Sequence, residues 1–265
     1  MRVEFEKFEG LGNDFIVVET DVATLHPHVP ALCDRHFGIG ADGVLFVSRP
    51  HSGAARATMT VINADGSRPE MCGNGLRCVA LFLARKDAAA DISYLVDTEA
   101  GALSCEVTRE TPNQAQVRTC LGQGQPQPDH VWQHAGRSFE FQRVSMGNPH
   151  AILFEAMPSI AEIDEWGPLV SACFEAGSNV EFAFPRGEQG FDLIVWERGV
   201  GRTLACGTGA AATGVAAVRT GRAQYDEPIA MHLPGGALEI SVSRPLEVTA
   251  RGPARHVFSG SVEVP

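Results

Sequence analysis

The chain reads as an α+β protein built from two pseudo-symmetric halves, each a curved, largely antiparallel sheet wrapping one long helix. Three observations predict this. Segments that alternate as strands outnumber helical ones. Two short cysteine motifs, Met71-Cys72-Gly73-Asn74-Gly75-Leu76-Arg77-Cys78 and Leu204-Ala205-Cys206-Gly207-Thr208-Gly209-Ala210, each open an apolar, alanine-rich stretch with helical character. Landmarks around these motifs recur in register. Asn13 of a Gly-Asn pair stands 59 residues before Cys72, and Asn148 of a second Gly-Asn pair stands 58 before Cys206. Gly101-Ala102-Leu103 begins 29 residues after Cys72, and Gly236-Ala237-Leu238 begins 30 after Cys206. Asn63 and Glu197 each precede their cysteine by nine. Matches in this order point to a duplicated unit. Two copies make a pair of domains with a cleft between them, where ligands commonly bind.

The elements follow in order. Residues 3–8 alternate as a strand, Gly10 to Asp14 turns, and residues 15–19 resume as a strand, giving a hairpin. Residues 30–36 form a short helix candidate. The glycine-rich turn at 38–43 feeds a strand at 44–47, and 57–63 is a further strand. Residues 74–86 carry the first long helix, and 92–98 with 102–108 form a second hairpin. The polar segment 122–128, with Gly and Pro, is the expected linker or crossing. The order then repeats: strands at 139–144 and 151–155, a helix over 160–176 around Pro168, and strands at 180–184 and 191–197. The second long helix spans 207–219. Strands at 229–233, 237–242, 246–250 and 255–264 finish the chain. The first domain covers 1–120, carries Cys72 and is completed by 255–265; the second covers 121–254 and carries Cys206.

Composition narrows the function. The chain has 265 residues, 44% hydrophobic and 20% charged, with a net charge of −11. That balance suits a globular protein and supplies no basic stripe for nucleic acid, which is excluded as a partner. No apolar run reaches the length of a membrane span, so no membrane partner is expected. The N-terminus has acidic residues where a signal peptide needs an apolar core, which predicts a cytoplasmic protein. Its seven cysteines are then expected reduced.

Chemistry centres on Cys72 and Cys206. A free cysteine is usually a small buried hydrophobe, and Cys33, Cys78, Cys105, Cys120 and Cys173 fit that role. Cys72 and Cys206 differ because each stands at a helix start, where unpaired N–H groups and the helix dipole favour thiolate over thiol. Two such groups facing one carbon would remove a proton from one side and supply one from the other, which inverts a stereocentre. Glycines 73, 75, 207 and 209 serve as turn residues and also let a ligand approach bare backbone. The two helix ends could hold one carboxylate of an α-amino acid. Asn13, Asn63, Asn148 and Asn179 lie beside turns, where an Asx turn or cap is the ordinary role; the register of Asn13 with Asn148 favours ligand contact. Arg198 is either a surface residue or a bidentate clamp for a second carboxylate. Glu197 could hold an ammonium group, and His150 is a turn histidine or tunes a nearby thiol. Neither His-Glu-x-x-His nor Cys-x-x-Cys is present, so no metal is expected. Pyridoxal phosphate needs a lysine, and Lys7 and Lys86 lie outside any glycine-rich anion-binding context, so no cofactor is expected.

Taken together, the segments 7–15, 63–67, 71–78, 147–150, 177–181, 196–199 and 205–209 resemble diaminopimelate epimerase along nearly the whole chain. The resemblance implies a cofactor-independent two-thiol epimerase with two barrel-like sheets, each around a central helix, that interconverts LL- and meso-diaminopimelate in the synthesis of lysine and peptidoglycan precursors. By position, Cys72 and Cys206 match the catalytic cysteines, and His150 and Glu197 match residues that tune them. Asn13, Asn63, Asn148, Asn179 and Arg198 match residues that hold the distal amino-acid end. The amides of Gly73, Asn74, Gly207 and Thr208 match the cradle of the reacting carboxylate. A homodimer is the common assembly in the family. One departure stands out: Gly43 follows Asp42 where some relatives carry a glutamine.

Two other readings remain open at this point. A proline or hydroxyproline epimerase would use similar two-cysteine logic on a substrate without a distal amino-acid end, against which Arg198 and the asparagines argue. A thiol redox protein would use Cys72 and Cys206 as a disulfide pair.

Overall fold

The structure is a computed structural model that describes residues 1–51, 53–69, 72–155 and 157–265. Met71, which opens the first cysteine motif, lies outside the described residues. The chain divides into two compact units, Met1–Thr119 with Arg251–Pro265, and Cys120–Ala250.

The first unit contains β1 (Arg2–Gly10), β2 (Asn13–Val18), α1 (Val22–Leu25), a single 3-10 turn (His26–His28), α2 (Val29–Cys33), β3 (Gly43–Ser48), β4 (Ala57–Asn63), α3 (Gly73–Lys86), β5 (Asp91–Thr98), β6 (Gly101–Thr111) and the start of β7 (Gln114–Gln123). The second holds β8 (Gln125–His134), β9 (Arg137–Ser145), β10 (Pro149–Leu153), α4 (Ile160–Ser171), β11 (Asn179–Pro185), β12 (Gly190–Glu197), β13 (Gly201–Thr203), α5 (Gly207–Arg219), β14 (Ile229–Leu233) and β15 (Gly236–Val242). The last strand, β16 (Glu247–Glu263), starts in the second unit and ends in the first.

In the first unit the strand order is β1-β2-β3-β4-β5-β6-β7-β16, and β16 also pairs with β1, so the ring closes. The second unit runs β15-β14-β12-β11-β10-β9-β8, with β13 beside β12. Antiparallel pairing dominates both units. Parallel pairs interrupt it at β2/β3 and β4/β5, and again at β10/β11 and β12/β14. The second set falls where a duplication would place it, with β10, β11, β12 and β14 standing for β2, β3, β4 and β5. The sequence landmarks sit at matching element ends. Asn63 closes β4 and Glu197 closes β12, while Gly101 opens β6 and Gly236 opens β15.

Each sheet has one face on a long helix. In α3 every residue from Gly73 to Ala84 is buried, and Leu76, Val79 and Leu83 join Phe8, Leu45, Met59, Val96 and Val117 in one cluster. Burying a large apolar side chain of this kind stabilises by about 1.5–3 kcal/mol. Arg85 and Lys86 occupy its last turn, where cations suit the helix dipole. Helix α5 is lined with buried alanines, and its small surface lets the sheet approach closely: a Cβ on Gly214 would lie 2.7 Å from Ile240 Cγ2. The outer faces have their own cover. Leu25, Val29 and Leu32 pack on Val18, Val44 and Phe46 in the first unit. In the second, Ile163, Trp166 and Val170 of α4 pack on Phe139, Phe141 and Phe182.

Several expected boundaries move. Segment 122–128 is not an irregular linker: β7 runs to Gln123 and β8 starts at Gln125. Buried Ala115, Val117 and Leu121 alternate along β7 and hold it in the sheet. The two final strands are one, β16 running unbroken through Pro253. The first short helix ends at Cys33 rather than at 36, since Asp34 leaves the helix and its carboxylate accepts from the amides of His36 and Phe37 at 2.7 Å each. Helix α4 stops at Ser171 rather than at 176, where the Ser171 hydroxyl accepts from the Ser178 amide at 3.0 Å and draws the chain back toward β11.

Candidate active site

The two cysteines occupy the same local geometry. Cys72 caps α3 with extended backbone, φ −140° and ψ 103°, and its Sγ accepts from the Gly75 amide at 3.3 Å. Cys206 caps α5 with φ −120° and ψ 109°, and its Sγ accepts from the Gly209 amide, also at 3.3 Å. Each thiol thus takes the place that a serine or aspartate side chain usually fills at a helix N-terminus. The glycine in each pair lies close under its capping sulfur: a Cβ at Gly75 or at Gly209 would stand 3.3 Å from it. Gly73 with Asn74, and Gly207 with Thr208, open the two helices and offer their first N–H groups.

In the first unit, Asn74 and Asn13 are joined. Asn74 Nδ2 donates to Asn13 Oδ1 at 3.2 Å, and Asn13 Nδ2 donates to Asp42 Oδ2 at 2.6 Å. Asp42 also accepts from the Asp14 amide at 3.0 Å and from Arg35 at 2.7 Å. Burial pushes the Asp14 carboxyl up, but hydrogen bonds from Arg35 and Lys7, with their charges, outweigh it and hold the group below its ordinary value. On the other side, Arg77 is almost fully buried and donates to Asn74 Oδ1 at 2.8 Å and to the Pro253 carbonyl at 3.1 Å. Asn63 is apart from this set: its Nδ2 donates to Ser67 Oγ at 2.9 Å within the turn that follows β4. Gly43 pairs with Asn63 across β3 and β4, and a Cβ there would come within 2.7 Å of the Ile62 carbonyl oxygen.

In the second unit the environment of the cysteine is acidic. His150 is buried on β10, with Nδ1 2.7 Å from Glu181 Oε1 and Nε2 3.0 Å from Asn148 Oδ1. Asn148 Nδ2 reaches Thr208 Oγ1 at 3.4 Å, and Thr208 Oγ1 lies 3.5 Å from Cys206 Sγ. Burial pushes the Glu197 carboxyl up, against a hydrogen bond from Thr203 at 2.5 Å. Burial, then the charges of Glu197 and Glu181, push the Cys206 thiol well above its ordinary value, and the Thr208 and Gly209 contacts only partly offset this. At Cys206 the preference for thiolate that a helix start gives is opposed by burial and by two carboxylates. One or two amide dipoles do not outweigh desolvation beside two carboxylates. Asn179 is buried and its Oδ1 accepts from the Arg198 amide at 2.9 Å. The Arg198 side chain is exposed at the end of β12 and its guanidinium donates to the Ala176 carbonyl.

Sequence reasoning missed Glu181, Asp42 and Thr203. Glu181 had a readable signal: a charged residue between Val180 and Phe182, inside an apolar strand. Asp42 had none, since an Asp-Gly pair reads as an ordinary turn. Among the described residues, no group of three or more His, Cys, Asp or Glu side chains is placed to hold a metal ion. Nor is any described helix long and apolar enough to cross a membrane.

The fold is shared with solved epimerases and their structural kin. A hydroxyproline epimerase from Agrobacterium vitis superposes with a TM-score of 0.78 at 13% identity, covering 98% of this chain and 91% of that one. A Bacillus anthracis protein of the PhzF phenazine-biosynthesis family superposes with 0.80 at 13% identity, covering all of both chains. At that identity the likeness concerns the fold alone. Sequence comparison goes further. The diaminopimelate epimerase family profile matches residues 5–124 and 143–257. A diaminopimelate epimerase of Synechocystis sp. is 41% identical over 286 residues, spanning the full length of both chains. The protein is an isomerase, an epimerase with the two-unit fold described above. The chain belongs to the diaminopimelate epimerase family.

Proposed function

We propose that this chain interconverts LL- and meso-diaminopimelate by acid–base chemistry on two cysteines, without a cofactor. The observation that carries the reading is the paired capping geometry of Cys72 and Cys206, repeated to the same amide position and the same 3.3 Å distance in two copies of one unit. One sulfur removes the α proton as thiolate, and the other, as thiol, delivers a proton to the opposite face. Two thiolates would repel in one site, so the resting enzyme holds one of each. The raised thiol of Cys206 suits the resting acid. The carbanion spreads charge onto the adjacent carboxylate, where the amides of Gly73, Asn74, Gly207 and Thr208 receive it. Preorganised donors of this kind are each worth about 3 kcal/mol in a transition state.

The distal amino-acid end is held by Asn13, Asn63, Asn148, Asn179, Glu197 and Arg198, and His150 and Glu197 tune the two cysteines. A longer, doubly zwitterionic substrate explains why so many amide side chains and an arginine accompany the cysteines, which a proline would leave unused. A redox role for the cysteine pair has no support in the family assignment. A cytoplasmic homodimer is the assembly and location that the family resemblance supports, and sedimentation of the purified chain tests the dimer.

The deciding experiment is proton NMR in deuterium oxide, under reductant, with LL-diaminopimelate in one tube and L-proline in another. Loss of the α-proton signal with growth of the meso isomer is expected. Exchange on proline alone would move the substrate, and silence on both with folded, reduced protein would overturn the reading. Cys72→Ser and Cys206→Ser should each nearly abolish turnover, and wild-type kcat in either would end the two-base mechanism.

A further inference from the structure

Glu181 is the least expected group in the second unit. It is fully buried, its Oε1 meets His150 Nδ1 at 2.7 Å, and its Oε2 has no hydrogen-bond partner among the described residues. Burying a carboxylate costs free energy that its contacts have to offset. A purely structural strand position would be served better by an apolar residue. The carboxylate's neighbours indicate what it does instead.

Both nitrogens of His150 face acceptors, Glu181 Oε1 on one side and Asn148 Oδ1 on the other. A ring that donates from both nitrogens satisfies both oxygens at once, and such a ring is cationic. The buried Glu181 carboxyl, 2.7 Å from Nδ1, is placed to balance that charge. The other groups that face this pocket are otherwise engaged: Glu197 accepts from Thr203, and burial favours the protonated form of the Cys206 thiol. With His150 Nε2 donating to Asn148 Oδ1, the Asn148 amide is left to donate from Nδ2 to Thr208 Oγ1. The Thr208 hydroxyl then has its hydrogen free for Cys206 Sγ at 3.5 Å. All donors run one way, from His150 to the sulfur.

We propose that Glu181 is a positioning residue for Cys206: by holding His150 as a double donor it aims the chain His150, Asn148, Thr208 at the sulfur. The inference rests on the epimerase reading of Cys206. No proton leaves the chain; it supplies a hydrogen bond to the sulfur when that sulfur carries charge. With an amide at position 181 the ring can stay neutral. His150 Nε2 becomes an acceptor, Asn148 turns its amide over, and the Thr208 hydroxyl points at Asn148 instead of at Cys206.

The test uses full-length protein labelled with ¹⁵N-histidine, with the His150 signals assigned by their loss in His150→Gln. In the wild type both ring nitrogens should resonate as protonated at neutral pH. Glu181→Gln should convert one of them to the unprotonated type. Kinetically, Glu181→Gln and Thr208→Val should each lower kcat/KM about 10- to 100-fold, the range for a lost hydrogen bond to a charged group. The double variant should lose no more than the worse single one, because both break one chain. A neutral His150 in the wild type, or losses that multiply in the double variant, would overturn the proposal. The wild-type spectrum decides even if Glu181→Gln does not fold. Absence of epimerisation by the wild type would count against the reaction, while the histidine spectrum would still judge Glu181.

Discussion

A Cβ atom on Gly209 would lie 2.7 Å from Glu181 Oε1, so the first turn of α5 and the buried carboxylate of β11 leave no room for a methyl group. The carboxylate cannot swing away, because it is held by His150 and enclosed on all sides. The turn that carries Cys206 is therefore seated directly on Glu181.

Gly209→Ala should move that turn. Overpacking of this kind costs about 1–3 kcal/mol, and the displaced sulfur should cost kcat at least about tenfold, since acid–base catalysis depends on reach. Gly75→Ala is the internal control. There the nearest atom is Leu45 Cδ2 at 2.8 Å, the far end of a flexible side chain that can turn aside. Steady-state kinetics and thermal unfolding of both variants should show the larger loss at Gly209.

Asp42→Ala removes the acceptor that fixes Asn13, and with it one of the two carboxylates bound by Arg35. Hydrogen bonds to a charged group are worth about 1.5–3 kcal/mol. If Asn13 holds the distal end of the substrate, KM should rise about tenfold, with a smaller change in kcat. An unchanged KM for diaminopimelate would remove Asn13 from the binding set.

Gly43→Gln puts a side chain where some relatives carry one, but the backbone here does not leave room. Its Cβ would press on the Ile62 carbonyl at 2.7 Å and on Asn63 Cα at 3.3 Å. Strands β3 and β4 would have to part, at a cost of about 1–3 kcal/mol. Urea unfolding should show the destabilisation. A stable variant with improved KM would mean that the sheet yields more easily than its register suggests.

Stability should fall on the alkaline side. Burial pushes the Cys33 thiol from 9.0 up to about 11 and the Cys105 thiol from 9.0 up to about 12. Above pH 9 the unfolded chain loses these protons while the folded chain keeps them, so unfolding is favoured as pH rises. Each thiol contributes up to about 1.4 kcal/mol per pH unit over its window. The stabilising effect is fully present below pH 9 and is lost between there and about 11 for Cys33. Denaturant titrations across this range should show the decline, and Cys33→Ala should make it shallower.

Much of the molecule is legible in the sequence. The register of Gly12-Asn13 with Gly147-Asn148, and of the two Cys-Gly-x-Gly motifs, places equivalent residues at equivalent element ends, because a duplicated unit keeps its turns where its glycines are. Strand β4, helix α5 and strand β14 span the residues expected of them, since apolar periodicity and a capping residue define such segments locally. Segment 122–128 is the exception. Its Gly and Pro speak for a loop, whereas the strands on either side are held by the burial of residues such as Leu121 and Trp132.

By itself the sequence determined the two halves, the long helices, the capping cysteines and the family. These depend on neighbours along the chain or on motifs that are kept together. Only the tertiary structure decided what surrounds each sulfur. Glu181 and His150 meet because β10 and β11 lie side by side and parallel, though the two residues are far apart in sequence. Asp42 reaches Asn13 because β2 and β3 run parallel in the same way. Desolvation and charge act through space, so a motif can place a cysteine at a helix start while the fold around it sets whether that cysteine holds its proton.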